Sequence, residues 1–378
     1  MNYLLLLVPP IVFGFAAYFI AKAATGGAAA WAEKRGVLDE PNVRSNHEAP
    51  TPRLGGVGLL AGLLVPLAVF VPLYGVIQGL MRYTVIDETQ WLAWGGFAAA
   101  CLIAFAVGVT DDFRPLPPLV KLGGQCIAAA VAAACGLAVR QLHLPFLEPI
   151  MLPAPVGMAL AFVWVLLVIN AVNFMDGVNG LAGRAGSVFG IFLIGCGLNR
   201  SWSIEITVLG GILFGACNGF LTHNYPRART FLGDGGSHLL GAALAGGVLL
   251  LVNNDLHSTW TFTSGGTVPL FDPFLAGVIA LSPLLFDVLY TLAWRTRRGA
   301  NPLQPHREHL YQRFHRATGC DHQRTTESFA VAVYIAAGIG FLYVRFSGPG
   351  DPVWRVLLIA AAAGTLGWWW REVRRAEA

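Results

Sequence analysis

Asn170-Ala171-Val172-Asn173-Phe174-Met175-Asp176-Gly177-Val178-Asn179-Gly180-Leu181-Ala182 is the stretch around which the chain is organised. It follows an apolar run from Ala159 to Ile169 and leads into another from Ser187 to Leu198. Asn170, Asn173 and Asp176 are spaced by three residues, which on a helix puts them roughly on one face. Polar groups beside hydrocarbon are costly unless paired or wetted, so the stretch marks either a helix-packing seam or a site. Gly177, Gly180 and Gly183 let backbone or ligand come close. We read it as the centre of an active site facing water at one membrane surface.

The composition around this stretch sets the fold class. Of 378 residues, 55% are hydrophobic and 12% charged, against roughly 25% charged in an ordinary soluble domain. So few charges could not cover a soluble surface, so an all-α polytopic membrane protein is expected, one integral membrane domain over 1–378. Eleven segments approach the length of about 20 apolar residues that a span needs. They are 2–22, 55–76, 91–110, 118–138, 154–172, 180–198, 205–222, 235–253, 271–294, 327–346 and 353–370. Glycines thin the start of 180–198, which makes the expected count 10–11.

With the N-terminus outside, the cytoplasmic loops are 22–54, 111–121, 170–186, 223–234 and 295–326. Those loops and the tail from 371 hold twenty of the 25 Lys and Arg, leaving Arg82, Arg140, Arg200, Arg345 and Arg355 outside. Such a bias is the positive-inside pattern. No basic stretch precedes the first apolar run, so it reads as a span and not a cleaved signal. The six cysteines have no zinc or redox spacing and read as small buried residues. Nothing in the composition calls for a nucleic-acid partner.

Three further clusters fall on the same predicted face. Asp111-Asp112 closes the third span, with Lys121 following; adjacent carboxylates repel, so a lysine or a metal is expected to hold them ionised. The plainer reading is a polar helix end with a turn at Pro115. Phe231-Leu232-Gly233-Asp234-Gly235-Gly236-Ser237 opens the eighth span; a helix N-terminus suits phosphate, and the acid suits a divalent metal or a simple N-cap. In His306-Arg307-Glu308-His309, a short basic helix over Pro305–Arg316 would align His306, His309 and Arg313 toward a diphosphate or anionic lipid. Asp287 and Glu205 lie within spans, and the sequence names no partner for either. Carboxylates, amides, a cation and an anion-binding turn together call for a divalent metal and phosphates.

These motifs, in this order over roughly 100–315, resemble the polyprenyl-phosphate N-acetylhexosamine-1-phosphate transferases of glycosyltransferase family 4. The resemblance implies Mg²⁺, or Mn²⁺ in its place, held by Asn173 and Asp234 against the diphosphate of a UDP-N-acetylhexosamine. It implies Asp111 as the base that deprotonates or orients undecaprenyl phosphate, Asp112 beside it, and Lys121 pairing with phosphate or the aspartates. Asn170 and Asp176 would shape the nucleotide side, with Asp176 counted among the catalytic groups. Phe231 would stack on uracil, and His306, Arg307 and His309 would hold the diphosphate. The reaction implied is attack by the lipid phosphate on the β-phosphorus with release of UMP, in the bacterial inner membrane. It would be the first membrane step of O-antigen or another surface polysaccharide, and a homodimer follows by analogy only.

Two departures shape that expectation. Asn179 stands where the family carries a second aspartate, and His-Arg-Glu-His replaces consecutive histidines. Both point away from a muramoyl-pentapeptide donor and toward UDP-GlcNAc or a related amino sugar. A transporter would place its polar residues near the bilayer midplane, whereas here they gather at helix ends. A CDP-alcohol phosphotransferase would need Ala-Arg soon after Asp-Gly, which 176–195 lacks.

Overall fold

The structure is a computed structural model that describes residues 3–40, 50–81, 88–142, 144–147, 150–199, 203–257, 273–301, 304, 306–346 and 352–378. Twelve helices are described: α1 (Tyr3–Arg35), α2 (Gly55–Met81), α3 (Glu88–Phe113), α4 (Pro118–Ala134), α5 (Ala154–Met175), α6 (Leu181–Asn199), α7 (Ile204–Asn224), α8 (Gly233–His257), α9 (Pro273–Arg297), α10 (Leu310–Ala317), α11 (His322–Phe346) and α12 (Pro352–Glu377). Ten of these described helices are long and apolar enough to cross a membrane, and α4 is a shorter apolar helix. Helices satisfy every backbone group within themselves, as hydrocarbon demands. The chain is thus an all-α multi-pass membrane protein, as its composition predicts. Its described strands are two tiny antiparallel ladders: β1 (Leu38–Asp39) with β2 (Thr51–Pro52), and β3 (Gln141–Leu142) with β4 (Ile150–Met151).

The outer helices turn large apolar side chains outward and small ones inward. On α1, Ile11, Phe15 and Phe19 are exposed while Ala17 and Ala21 are fully buried. Gly14 lies against the backbone of Gly211, and α1 packs along α7 and α2. Lipid supplies no hydrophobic drive between helices, so such small-residue seams do the joining.

The central helix is α8. Its apolar span is wholly enclosed, with α2, α3, α5, α6 and α9 around it. Gly241 packs on the Ile169 backbone, and Gly246 lies under the Phe97 ring. At its first turn, a Cβ on Gly108 of α3 would overlap the Asp234 carbonyl, and one on Gly56 of α2 would overlap Gly236. These close approaches bring the end of α3 and the start of α2 onto the N-terminus of α8, which is where the site forms.

Three loop expectations change. Helix α1 runs to Arg35, well past residue 22, and the rest of 22–54 holds β1 and β2, joined by an Asp39–Arg53 ion pair; 41–49 lie outside the described residues. The helix expected over Pro305–Arg316 is instead α10, starting at Leu310, with His309 as its N-cap in extended backbone (φ −58, ψ 146); Pro305 lies outside the described residues. Its start is set by Asp287 of α9, which accepts the N–H groups of Leu310 and Tyr311 at 3.0 and 2.9 Å. Arg313 accordingly does not join the two histidines but makes a two-pronged pair with Glu377 of α12, at 2.7 and 2.6 Å.

Candidate active site

The cluster begins where α3 meets α8. Both oxygens of Asp112 accept backbone N–H bonds from the first turn of α8, Asp234 at 2.8 Å and Gly235 at 2.9 Å. The carboxylate caps a helix from a different part of the chain, satisfying orphan donors and matching the positive end of the dipole. Gly233, at φ +75, makes this approach possible, since a Cβ there would overlap the Arg53 carbonyl and crowd Asp112. A side chain already spent on two backbone bonds acts mainly by positioning Asp234.

Asp111, one residue earlier, points elsewhere. Its Oδ1 accepts the Leu116 N–H at 2.7 Å and its Oδ2 accepts Lys121 Nζ at 3.2 Å. The same ammonium reaches Asp234 Oδ2 at 3.1 Å. Lys121 therefore bridges two carboxylates from helices that are far apart in sequence. Asn173, on the last turn of α5, donates from Nδ2 to Asp234 Oδ1 at 3.1 Å and to Ser237 Oγ at 2.9 Å. That orientation directs the amide nitrogen at Asp234, and Asn173 Oδ1 makes no hydrogen bond among the described residues.

Asp176 caps the same turn of α5, and its carboxylate has no hydrogen bond or ion pair among the described residues. Burial pushes its pKa well above the usual carboxylate range, and the charges of Asp234 and Asp112 push it further. Asp111 and Asp234 thus share the Lys121 ammonium, while Asp112 and Asp176 lie within electrostatic reach of Asp234, with the Arg53 charge beside Asp112. This charge imbalance is the electrostatic signature of the cluster.

The histidine segment joins it from the other side. Tyr311 donates its hydroxyl to the Phe174 carbonyl at 2.8 Å, and the His309 ring stacks on Phe174 at 5.5 Å between centroids. His306 stacks on His309 in turn at 4.8 Å. Glu308 N–H donates to His306 Nδ1 at 3.3 Å, which leaves the proton on Nε2. Burial, with His309 and Arg295 nearby, lowers the His306 pKa to about 4, so it is a neutral donor at physiological pH. Arg307 carries a buried Nη2 with no hydrogen-bond partner among the described residues. Phe231 is fixed by its backbone between Pro52 and Gly55, three residues before Asp234.

Asn170 is placed one turn deeper. It donates to Gln125 Oε1 at 2.8 Å, and Gln125 contacts His238 Nε2 at 3.1 Å. This layer lies beneath Asn173, Lys121 and Asp234, in the same helices and in register. Gln125 and His238 escape a motif reading, although each lies four residues after a flagged one, Lys121 and Asp234, inside an apolar helix. That spacing is the signal that finds them. Asn179 serves the backbone: its N–H donates to His322 Nδ1 at 3.1 Å and its carbonyl accepts from Thr326 at 2.7 Å. Gly180, at φ +81, donates to Asn224 at 2.7 Å and leaves no room for a side chain against Tyr225.

The arrangement offers one end of a bundle with hard oxygen donors, a shared lysine, a capped helix N-terminus and a guanidinium. Comparison with known proteins agrees with that chemistry. Residues 94–252 match the family model described as glycosyl transferase family 4. The chain is 30% identical to a decaprenyl-phosphate N-acetylglucosaminephosphotransferase of Mycolicibacterium smegmatis over 367 residues, 93% of this chain and 87% of that protein. It is 27% identical to an undecaprenyl-phosphate alpha-N-acetylglucosaminyl 1-phosphate transferase of Salmonella typhi, covering 81% of this chain and 76% of that one. A phospho-N-acetylmuramoyl-pentapeptide-transferase of Synechococcus is 33% identical over a shorter region, 64% of this chain and 69% of its own. The matched region contains Asp111, Lys121, Asn173, Asp176 and Asp234, and the chain belongs to glycosyl transferase family 4, among its polyprenyl-phosphate N-acetylhexosamine-1-phosphate transferases.

Proposed function

We propose that this enzyme transfers N-acetylglucosamine-1-phosphate, or a closely related amino-sugar phosphate, from its UDP-sugar to undecaprenyl phosphate, releasing UMP. The observation that carries the reading is the convergence of Asp111, Asp112, Asp176 and Asp234 at the ends of α3, α5 and α8, with Lys121 shared by Asp111 and Asp234. An oxygen of the lipid phosphate forms a bond to the β-phosphorus, and the bond from that phosphorus to the UMP oxygen breaks. The names of the relatives support the N-acetylglucosamine donor and the polyprenyl acceptor. The basic-residue bias supports a site on the cytoplasmic face of the bacterial inner membrane.

The residues fit a divalent cation. Asp176 and Asp234 are hard oxygen donors, Asp176 without a cation partner among the described residues and Asp234 sharing Lys121 with Asp111, and Asn173 Oδ1 is available beside them. Mg²⁺ is usually held by one or two carboxylates plus substrate phosphates, so these two carboxylates and the amide oxygen would be enough to hold it. Bound there, Mg²⁺ would neutralise the diphosphate and make phosphorus attackable.

The chain's own groups divide the remaining work. Lys121 orients Asp111, so that Asp111 can take the proton of the lipid phosphate or align its oxygen. Asp112 holds Asp234 at the first turn of α8. Arg307 and the Nε2–H of His306 supply donors for diphosphate oxygens. Phe231 offers a flat apolar face for the base.

The test is transfer by purified protein in detergent, with undecaprenyl phosphate, Mg²⁺ and a panel of UDP-sugars that includes the muramoyl-pentapeptide donor. Lipid-linked N-acetylhexosamine and UMP, both stopped by EDTA and by Asp234→Ala, are expected. Transfer from the muramoyl-pentapeptide donor alone would overturn the donor assignment. Near-normal turnover by folded Asp234→Ala or Asp111→Asn would overturn the site.

A further inference from the structure

Asp287 is fully buried within α9, in a span, and takes no part in the cluster above. A carboxylate enclosed at that depth is costly unless its oxygens are fully engaged. Its Oδ1 lies 3.0 Å from His309 Nδ1 and also accepts the Leu310 N–H at 3.0 Å. Its Oδ2 accepts the Tyr311 N–H at 2.9 Å. A carboxylate cannot donate, so the proton of the shared bond lies on His309 Nδ1. His309 Nε2 is then the ring nitrogen that does not face Asp287. The same three contacts set where α10 begins, and Tyr311 in turn holds the Phe174 carbonyl two residues before Asp176.

We infer that Asp287 is a positioning residue for the transfer reaction: from inside the membrane span it fixes the His309 ring and presents Nε2 to the diphosphate of the sugar nucleotide. The inference rests on the reading of this site as a diphosphate-binding transferase. With Nδ1–H held by the carboxylate, the ring is fixed so that Nε2 can share a proton with a phosphate oxygen. The His306 ring, stacked at 4.8 Å, adds a neutral donor alongside, so the pair presents two unlike nitrogens to one anionic ligand. Carboxylates that orient a histidine in this way typically cost ten- to a hundredfold in function when removed.

Two measurements test it. Histidine-selective ¹⁵N labelling of the intact protein, with the His309 signal identified by its loss in His309→Asn, reads which nitrogen carries the proton. A proton on Nδ1, with or without a second on Nε2, is expected; a neutral ring protonated at Nε2 alone would overturn the proposal, and this needs no variant of Asp287. The second is a double-mutant cycle on donor kcat/KM. Asp287→Asn and His309→Asn should each lower it by about ten- to a hundredfold, chiefly through donor KM, and the double variant should be little worse than His309→Asn alone. Additive losses would mean that Asp287 acts only by holding the fold, and an inert His309→Asn would remove the role altogether. Both failures occur in an enzyme that still transfers, so they are distinct from failure of the transferase reading, in which the unmutated protein shows no transfer.

Discussion

Replacing Lys121 by Met should tighten divalent-cation binding while slowing transfer. The ammonium lies 3.1 Å from Asp234 Oδ2 and 3.2 Å from Asp111 Oδ2. At 3.1 Å, unit charges interact by about 5 kcal/mol at an effective dielectric of about 20. The lysine side chain is 27% exposed, so water and salt reduce that considerably. A remaining contribution of about 1–2 kcal/mol corresponds to roughly tenfold in the affinity of any cation competing for the Asp234 carboxylate. Lys121→Met should therefore bind Mn²⁺, a spectroscopically visible substitute for Mg²⁺, about tenfold more tightly. Turnover should fall at the same time, because Asp111 loses the group that orients it. Electron paramagnetic resonance titration of free Mn²⁺ in detergent, at a pH where the carboxylates are ionised, gives the affinity, and UMP release gives the turnover. A folded Lys121→Met protein with unchanged or weaker Mn²⁺ binding would refute the placement of the cation at Asp234.

Asp112→Asn should lower thermal stability, because one of its two acceptor oxygens becomes a donor facing a backbone N–H; the cost is about 1–3 kcal/mol. Asp111→Asn should leave the melting temperature nearer to that of the unaltered protein while abolishing transfer, and a Tm unchanged by Asp112→Asn would contradict the capping role. Gly108→Ala should cost about 1–3 kcal/mol or more, because its Cβ overlaps the Asp234 carbonyl, which is backbone and cannot swing away; unfolding and Mn²⁺ binding should both report it. His306 has a folded-state pKa of about 4, below its ordinary 6.5, so the unfolded chain takes up the proton first and stability falls as pH drops from about 6.5 toward 4. The loss of Tm between pH 7 and pH 5 should therefore be smaller in His306→Gln, and an equal or larger loss would refute the environment assigned to that ring.

The membrane class, the helix count and the residues of the cluster were legible in the chain because each is a local property. Hydropathy over about 20 residues marks a span, and spacing by three or four marks a face. Asn170, Asn173 and Asp176 could be flagged that way, yet the structure separates their roles: Asn170 joins a deeper layer with Gln125, Asn173 holds Asp234, and Asp176 has no hydrogen-bonding partner among the described residues. A one-dimensional pattern says that a residue is polar beside hydrocarbon. It does not say what satisfies it.

The pairing came only with the tertiary structure. Asp112 reaches the N–H of a residue 122 positions away, Lys121 reaches a carboxylate 113 positions away, and Asp287 finds its partner in a loop beyond its own helix. Adjacent in sequence, Asp111 and Asp112 look equivalent as a carboxylate pair. In the fold one is spent on a helix terminus and the other is held by a lysine. That division depends on how closely α3 approaches α8, which Gly108 and Gly233 permit. Sequence determined which groups are present and at which helix ends they lie. Packing of helices distant along the chain decided which oxygen faces a backbone amide, which faces a cation and which is left for a ligand, because hydrogen bonds and charge pairs act over a few ångströms of space and not along the chain.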